Sequence, residues 1–444
     1  MFSSIHRATQ PAKRTRAGEA LVRRNPLYYP RARALFARLH DATLEDRRSW
    51  TRRRLARTLD AASRTPYGAR IAAGATLDGW PLLGPVDVRR QPLDFVRSHR
   101  WSIHSSTGGT TGIPLPLARS ARSVAVEQAA LDHLLARHGI RAASARVCVL
   151  RGDDVKALDD REPPFWVSAS GGRRRIFSSN HLSRDTVGNF AAALSEHRAD
   201  YWWVYPTALE SLIRLTREAG LRLKVPLVFS SSEVMSPWCR EAARDDLGAV
   251  VLDYYGQAER VALASAGGDG CFFFVPGYAH VELVPRPESE GALYEIVGTS
   301  LWNDAMPLVR YRTGDLIRMP EALTPADAEA IALGLRPFPG VIGRDGDILV
   351  APDGTRLTGI DHFHRGVDNI VRIQVAQTSA DRVEIRVIPA PAFGARERDA
   401  LISNARRKLP STMNIEVRVV DELERTPHGK TPFVVRCGPS GPVA

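Results

Sequence analysis

The spacing of apolar residues changes period several times along the 444-residue chain, and each change marks an element. Between residues 198 and 260 short apolar runs alternate with helical stretches, the order that builds a parallel sheet with helices on its faces. Tyr201 to Tyr205 reads as a strand. Thr207 with Glu210 three residues later predicts a capping box for a helix whose Leu209, Leu212 and Ile213 share one face and which Gly220 ends. A second apolar run, Leu227 to Phe229, stops at Ser230-Ser231-Ser232-Glu233. Ser236 and Pro237 then predict the N-cap and first residue of a helix closed by Gly248, and Ala249 to Asp253 a third strand. From His280 the pattern becomes alternation, in His280 to Val284 and Ala292 to Val297, which predicts an antiparallel or barrel-like piece. The first hundred residues read as helices broken by Pro26, Pro30, Pro66, Pro81 and Pro85. After Gly343 two strands near residues 370 to 388, a helix from Ala395 to Leu409 and a strand at Ile415 to Val420 suffice for a small α+β domain, with its boundary near Gly343.

In open parallel sheets ligands bind beyond the carboxyl ends of the strands. Polar residues collect at those ends here, in Tyr205-Pro206, Ser230 to Glu233 and Tyr254 to Glu259. A ligand site and an ordinary polar rim both fit that distribution.

Composition narrows the classes. A chain 44% hydrophobic and 25% charged is a soluble globular one, which excludes disordered and fibrous readings. No window reaches the roughly 18 apolar residues of a membrane span, and Met1 to Ala20 lacks a signal-peptide core, so the expected location is the cytoplasm. The net charge of +12 invites a nucleic-acid reading, but the 61 basic residues are 56 arginines and five lysines, a general preference for arginine rather than a designed surface. The crowd of arginines between Arg7 and Arg54 is expected to be a solvated, partly helical basic face without specific nucleic-acid binding. Four cysteines without a CxxC pair argue against a disulfide framework or a zinc ribbon.

Ser105-Ser106-Thr107-Gly108-Gly109-Thr110-Thr111-Gly112 is a glycine and hydroxyl loop whose backbone can turn its N–H groups toward a polyphosphate. It is not a Walker A loop, since no GKS or GKT follows, and alone it reads equally well as a flexible turn. Four more segments follow in order: DYYGQAE (Asp253 to Glu259), VRYRTGDL (Val309 to Leu316), GRDGDIL (Gly343 to Leu349) and RTPHGK (Arg425 to Lys430). Together the five motifs resemble the successive core motifs of the adenylate-forming superfamily of acyl and aryl CoA synthetases. The short length and the TGGTTG form are similar to the phenylacetate–CoA ligase-like branch, with its coenzyme F390 synthetase and capsular-polysaccharide relatives.

That resemblance implies an α/β protein. Its large N-terminal domain, residues 1–343, would hold mostly parallel sheets with helices and a small β-barrel, and residues 344–444 would form a small, mobile α+β domain. It implies that the loop from Ser105 to Gly112 holds the β and γ phosphates of ATP, that Ser231, Ser232 and Glu233 wall the adenine, and that Tyr255, within Tyr254-Tyr255-Gly256-Gln257, stacks on the base. Glu259 would hold Mg²⁺, for which a carboxylate is a suitable hard ligand. Asp315 would accept the ribose hydroxyls, Arg344 would reach the ribose, Gly346 would be the hinge and Lys430 the catalytic cation. The retention of Lys430 in a chain with so few lysines fits a need for a compact point charge.

The implied reaction activates a carboxylic acid, aryl or acyl, as an acyl-adenylate with loss of pyrophosphate, then passes the acyl group to a thiol (CoA or a carrier protein) or an amine. The alternatives are an adenylyltransferase that leaves AMP on its product and a basic nucleic-acid-binding or scaffold protein without catalysis. Several positions depart from the pattern. Ile113 stands where many relatives have lysine, Ala258 where threonine is common, and Gly346 in place of the hinge aspartate, with Asp347 beside it. Val350 to Gly359 replaces an RGxNxFP-like segment that helps CoA dock, which leaves the acceptor open. Cys271 with His280 is a weak zinc pair, His362 and His364 read as a solvated loop, and Trp166, Trp202, Trp203 and Trp238 read as core.

Overall fold

A computed structural model describes residues 22–442, apart from 72–73, 98–101, 107–114, 152, 154, 158–159, 234, 236, 287–291, 343–348, 355, 358–359, 361–362, 365–366, 368, 390–391, 425–432 and 439–440. Helices α1 (Tyr29–His40), α2 (Leu44–Ser63) and α3 (Pro85–Arg90) come first. Pro30 and Pro85 start two of these helices rather than break them, because in a first turn the missing N–H has no partner to lose. Among the described residues no helix is long and apolar enough to cross a membrane.

The arginines of α2 are not uniformly solvated, which corrects the expected basic face. Arg47 and Arg54 are buried. Arg47 donates to the carbonyls of Leu333 and His40. Arg54 donates to the carbonyl of Leu301 at 2.8 Å, and its guanidinium lies 4.6 Å from the centre of the Trp302 ring. Arg48 holds both oxygens of Glu329 at 2.7 Å. A long apolar stem ending in five donors suits arginine to such internal tasks.

Next come the hairpin β1 (Ser102–Ser106) and β2 (Pro116–Ser120), helix α4 (Ala121–Arg137), strands β3 (Val147–Leu150), β4 (Trp166–Ala169) and β5 (Arg174–Phe177), α5 (Val187–His197), β6 (Tyr201–Val204), α6 (Pro206–Glu218), β7 (Leu227–Ser231) and α7 (Pro237–Leu247). These strands pair in the order β7-β6-β3-β5-β4, parallel except for β4 against β5. Every residue of β3 and β7 is buried, as two covered faces require. Helix α6 opens with Pro206, and its N-cap is Tyr205 rather than the expected Thr207. Leu209, Leu212 and Ile213 are buried, as their spacing predicts.

Strands β8 (Val250–Gly256), β9 (Leu263–Ala266) and β10 (Phe272–Phe274) form an antiparallel meander. β8 runs three residues past the expected end at Asp253, because Tyr254, Tyr255 and Gly256 pair with Ser265, Ala264 and Leu263. Strands β11 (Ala279–Pro285), β12 (Ala292–Ser300), β13 (Tyr311–Met319) and β14 (Val341–Ile342) form an antiparallel sheet in that order, with α8 (Pro325–Ala332) before β14. In the C-terminal piece the hairpin Ile370–Ser379 and Arg382–Pro389 is flanked by parallel strands Val434–Gly438 and Asn414–Val419. Helix α9 (Ala395–Arg406) packs Leu401 and Ala405 into a core with Val375, Ile385 and Phe433. His364 belongs here too: it is buried and edge-on to Phe433 at 5.8 Å, not in a solvated loop, while His362 lies outside the described residues.

The chain divides into two compact units. The first comprises Met1–Thr107, Leu115–Ala145 and Val251–Gly343, the second Gly108–Pro114, Arg146–Val250 and Arg344–Ala444. Within the first unit β12 approaches the segment after β8 so closely that a Cβ on Gly298 would lie 2.0 Å from the carbonyl oxygen of Val261. Gly298→Ala should therefore cost about 3 kcal/mol of stability, a large overpacking penalty, measured as a lowered urea midpoint. An unchanged midpoint would show that the two backbones do not meet.

Candidate functional site

The polar segment after β8 is a turn in which the Arg260 N–H donates to the Gln257 carbonyl at 3.1 Å, and Arg260 takes a left-handed φ of 60°. The Gln257 side chain braces the turn in two directions. Its Oε1 accepts from the Ala262 N–H at 3.2 Å, and its Nε2 donates to the Tyr255 hydroxyl at 2.8 Å. The Tyr255 hydroxyl in turn donates to Asp315 Oδ2 at 2.8 Å. Burial first, and then the charge of Asp315, push the Tyr255 phenol well above its ordinary range, so it stays a neutral donor.

Asp315 reaches that phenol through an irregularity in β13. Arg312 pairs with Val297 and Leu316 with Glu295, so Thr313, Gly314 and Asp315 face Ile296 alone. Gly314 supplies the left-handed φ of 75° that this excursion requires. Thr313 fills the gap in the ladder, donating from its hydroxyl to the Ile296 carbonyl at 2.8 Å and accepting the Asp315 N–H at 3.0 Å. Bulges of this kind re-aim side chains next to functional sites.

Glu259, at the tip of the turn, accepts at Oε1 from the Tyr311 hydroxyl at 2.7 Å. Tyr311 is 1% exposed and shares a core with Val261, Leu117, Met306 and Leu308. The preceding Arg310, again left-handed at φ 49°, grips Glu282 with two nitrogens and donates to the Trp80 carbonyl at 3.0 Å. Non-glycine residues with such backbones cluster at functional sites, where the surroundings hold the strain.

In the second unit Ser230 and Ser231 are fully buried at the end of β7, and Ser232 has a φ of 73°. Ser231 Oγ accepts from the Trp203 indole at 3.4 Å. That ring lies 4.4 Å from the Arg151 guanidinium and 5.6 Å from that of Arg174. Trp202 is core, whereas Trp203 and Trp238 are partly exposed, and Arg214 stacks on Trp238 at 4.0 Å.

Among the expected site residues, Tyr255, Gln257 and Asp315 thus come together, and Glu259 joins Tyr311, which sequence reasoning passed over although it stands inside the VRYRTGDL run. Tyr254 and Gly256 are ladder residues of β8. Ser105 and Ser106 end β1, opposite Leu117 and Pro116. Thr107 to Gly112, Arg344, Gly346 and Lys430 lie outside the described residues. Cys271 and His280 gain no further ligand: among the described residues no three His, Cys, Asp or Glu side chains gather as a metal site.

A family model described as the CapK C-terminal domain matches residues 349–437. Protein CapK of Staphylococcus aureus is 20% identical over 371 residues, 81% of this chain and 80% of CapK. A solved 2-hydroxyisobutyryl-CoA ligase, in complex with 2-HIB-AMP and CoA in the thioesterification state, is similar with a TM-score of 0.52 at 17% identity, over 89% of this chain and 90% of the ligase. This chain shares the fold of that ligase.

The Tyr311–Glu259 bond can be measured without any assay of function. A double-mutant cycle of Tyr311→Phe and Glu259→Gln, followed by chemical denaturation, should give a coupling of about 1 to 2 kcal/mol, the worth of a hydrogen bond to a charged group. Additive effects would mean that the two side chains do not interact.

Proposed function

Taking the fold of an acyl-CoA ligase as premise, we propose that this protein uses MgATP to activate a carboxylic acid as its acyl-adenylate and then transfers the acyl group to a thiol or an amine. The observation that carries the reading is the pair of oriented carboxylates, Asp315 under Tyr255 and Glu259 under Tyr311, at two positions of the family-like motifs. A phenol that donates to a carboxylate fixes its direction and leaves its negative charge in place, which suits groups that must accept from ribose hydroxyls or hold a cation.

Mg²⁺ fits the donor set. It is commonly bound by one or two carboxylates with substrate phosphates and waters completing its shell, and Glu259 offers one such carboxylate at the tip of a turn. When bound, Mg²⁺ neutralises phosphate charge and orients the leaving group. The chain's own residues have the remaining tasks. Asp315 would receive the ribose, Ser231 to Glu233 and Tyr255 the adenine, the Ser105 to Gly112 loop the phosphates, and Lys430 the charge that grows at the α-phosphorus as the carboxylate attacks and pyrophosphate leaves. In the second step the thiol or amine attacks the acyl carbon and AMP departs. We further propose that residues 344–444 turn about Gly346 between the two steps.

The direct test is a screen of carboxylic acids for ATP–pyrophosphate exchange, followed by mass spectrometry of products formed with CoA, carrier-protein thiols and amines. Exchange with at least one acid is expected, and no exchange with any acid in a broad panel would overturn the reading.

Two variants sharpen it. Asp315→Ala should raise the KM for ATP more than it lowers kcat, because a ribose contact is mainly ground-state binding; an unchanged KM would remove Asp315 from the site. Lys430→Ala should slow adenylate formation by roughly 10² to 10³ and still consume a synthetic acyl-adenylate at near the normal rate. Equal damage to both steps would assign Lys430 to the fold or to the acceptor.

A further inference from the structure

Two arginines of the first unit, Arg54 and Arg310, are well supplied with partners, and Arg119, beside Glu259, has a single one. Arg54 has a carbonyl, a carboxylate and a ring, and Arg310 has a bidentate carboxylate and a carbonyl. Arg119, on β2, donates from Nη2 to the Ala258 carbonyl at 2.7 Å. Its Nε is buried and has no hydrogen-bond partner among the described residues, and no carboxylate there comes within ion-pair distance.

Nearby charge does not make up the deficit. Arg260 adds a second cation to the surroundings of Arg119. The nearest carboxylates already have partners: Glu127 lies 3.5 Å from the Arg260 guanidinium and accepts from the Tyr278 hydroxyl, and Glu259 accepts from Tyr311. Burial, then the like charge of Arg260, bring the Arg119 pKa down to about 10, which still leaves a full positive charge at neutral pH. A partly buried cation with no ion-pair partner is held at a cost, and a well-packed apolar side chain in its place would usually be neutral or stabilising. A guanidinium with one donor engaged in such a position is a preformed receptor for an anion, and its planar fork matches carboxylate and phosphate oxygens alike. Its place fits that role: it bonds to Ala258, the residue before Glu259.

We infer that Arg119 is an oxyanion-binding residue, its guanidinium holding a phosphate or carboxylate oxygen of a substrate beside Glu259. The inference rests on the proposed adenylate-forming reaction and adds to it a residue that none of the five motifs contains. The two sources of the oxyanion are the phosphates of ATP and the acid substrate.

The test compares wild type with Arg119→Met, which keeps the bulk and removes the charge, and Arg119→Lys, which keeps the charge and loses the fork. Calorimetric titration with pyrophosphate and with MgATP forms one arm. The KM for an acid that supports exchange in wild type forms the other. Arg119→Met should lose about tenfold or more in one arm, equivalent to about 1.4 kcal/mol, and Arg119→Lys should fall between it and wild type. A loss in the phosphate arm assigns the nucleotide, and a loss in the acid arm assigns the carboxylate. The melting temperature of Arg119→Met should equal or exceed that of wild type, which a structural arginine would not allow. If Arg119→Met does not fold, the inference is overturned unless folded Arg119→Lys shows a loss confined to one arm. Affinities within twofold of wild type in both arms would overturn it as well. Failure of the wild-type protein to bind ATP or pyrophosphate would instead overturn the proposed reaction from which this inference starts.

Discussion

The site in the first unit depends on one steric constraint, the contact of two backbones at Gly298 and Val261. With no side chain at Gly298, the segment after the Glu259 turn can lie directly on β12. Across the ladder from Gly298 stands Tyr311, and two residues before Val261 stands Glu259. The close approach therefore brings the phenol and the carboxylate within hydrogen-bonding distance, and the apolar cluster around Tyr311 and Val261 fixes both in place. Further along the same strand, Thr313 and Gly314 turn Asp315 out of the regular ladder toward Tyr255. One close contact thus sets the geometry of two carboxylates.

The unit treats its acids in two ways. Glu282 and Glu295 are locked by arginine forks from Arg310 and Arg312, which both orient the carboxylate and cancel its charge. Glu259 and Asp315 receive phenol donors, neutral groups that orient a carboxylate. Arginine plays the structural part so often that high net charge was a poor guide to the surface: Arg47 and Arg54 satisfy carbonyls inside the fold instead of facing solvent.

Periodicity made the architecture legible, because continuous apolar runs and strict alternation are imposed by burial on two faces or on one. The strands β6 and β7, the alternation from His280 and the C-terminal elements all follow from it. Glu259 and Asp315 were legible as residues, since their segments carry recognisable order along the chain. Their partners were not. Tyr311 and Tyr255 act across distances of 52 and 60 residues, and no local spacing encodes that pairing. The N-cap is Tyr205 rather than Thr207 because Pro206 starts the helix two residues earlier, a choice between two local signals that the sequence leaves balanced. The reach of β8 through Gly256 depended on β9 as a pairing partner, again non-local.

Relying on phenols carries a cost in alkali. Folding raises the proton affinity of Tyr255 and Tyr278 well above the ordinary value of 10.0, and that of Tyr29 to about 12, in each case first through burial and then, for all three, through a nearby carboxylate. Below about pH 10 folded and unfolded chains bind these protons equally, and the stabilisation is complete. As pH rises toward the folded values, the unfolded chain releases protons that the folded chain retains, and the balance shifts toward unfolding. The alkaline edge of this protein's stability is therefore written into the same hydroxyl groups that aim its carboxylates.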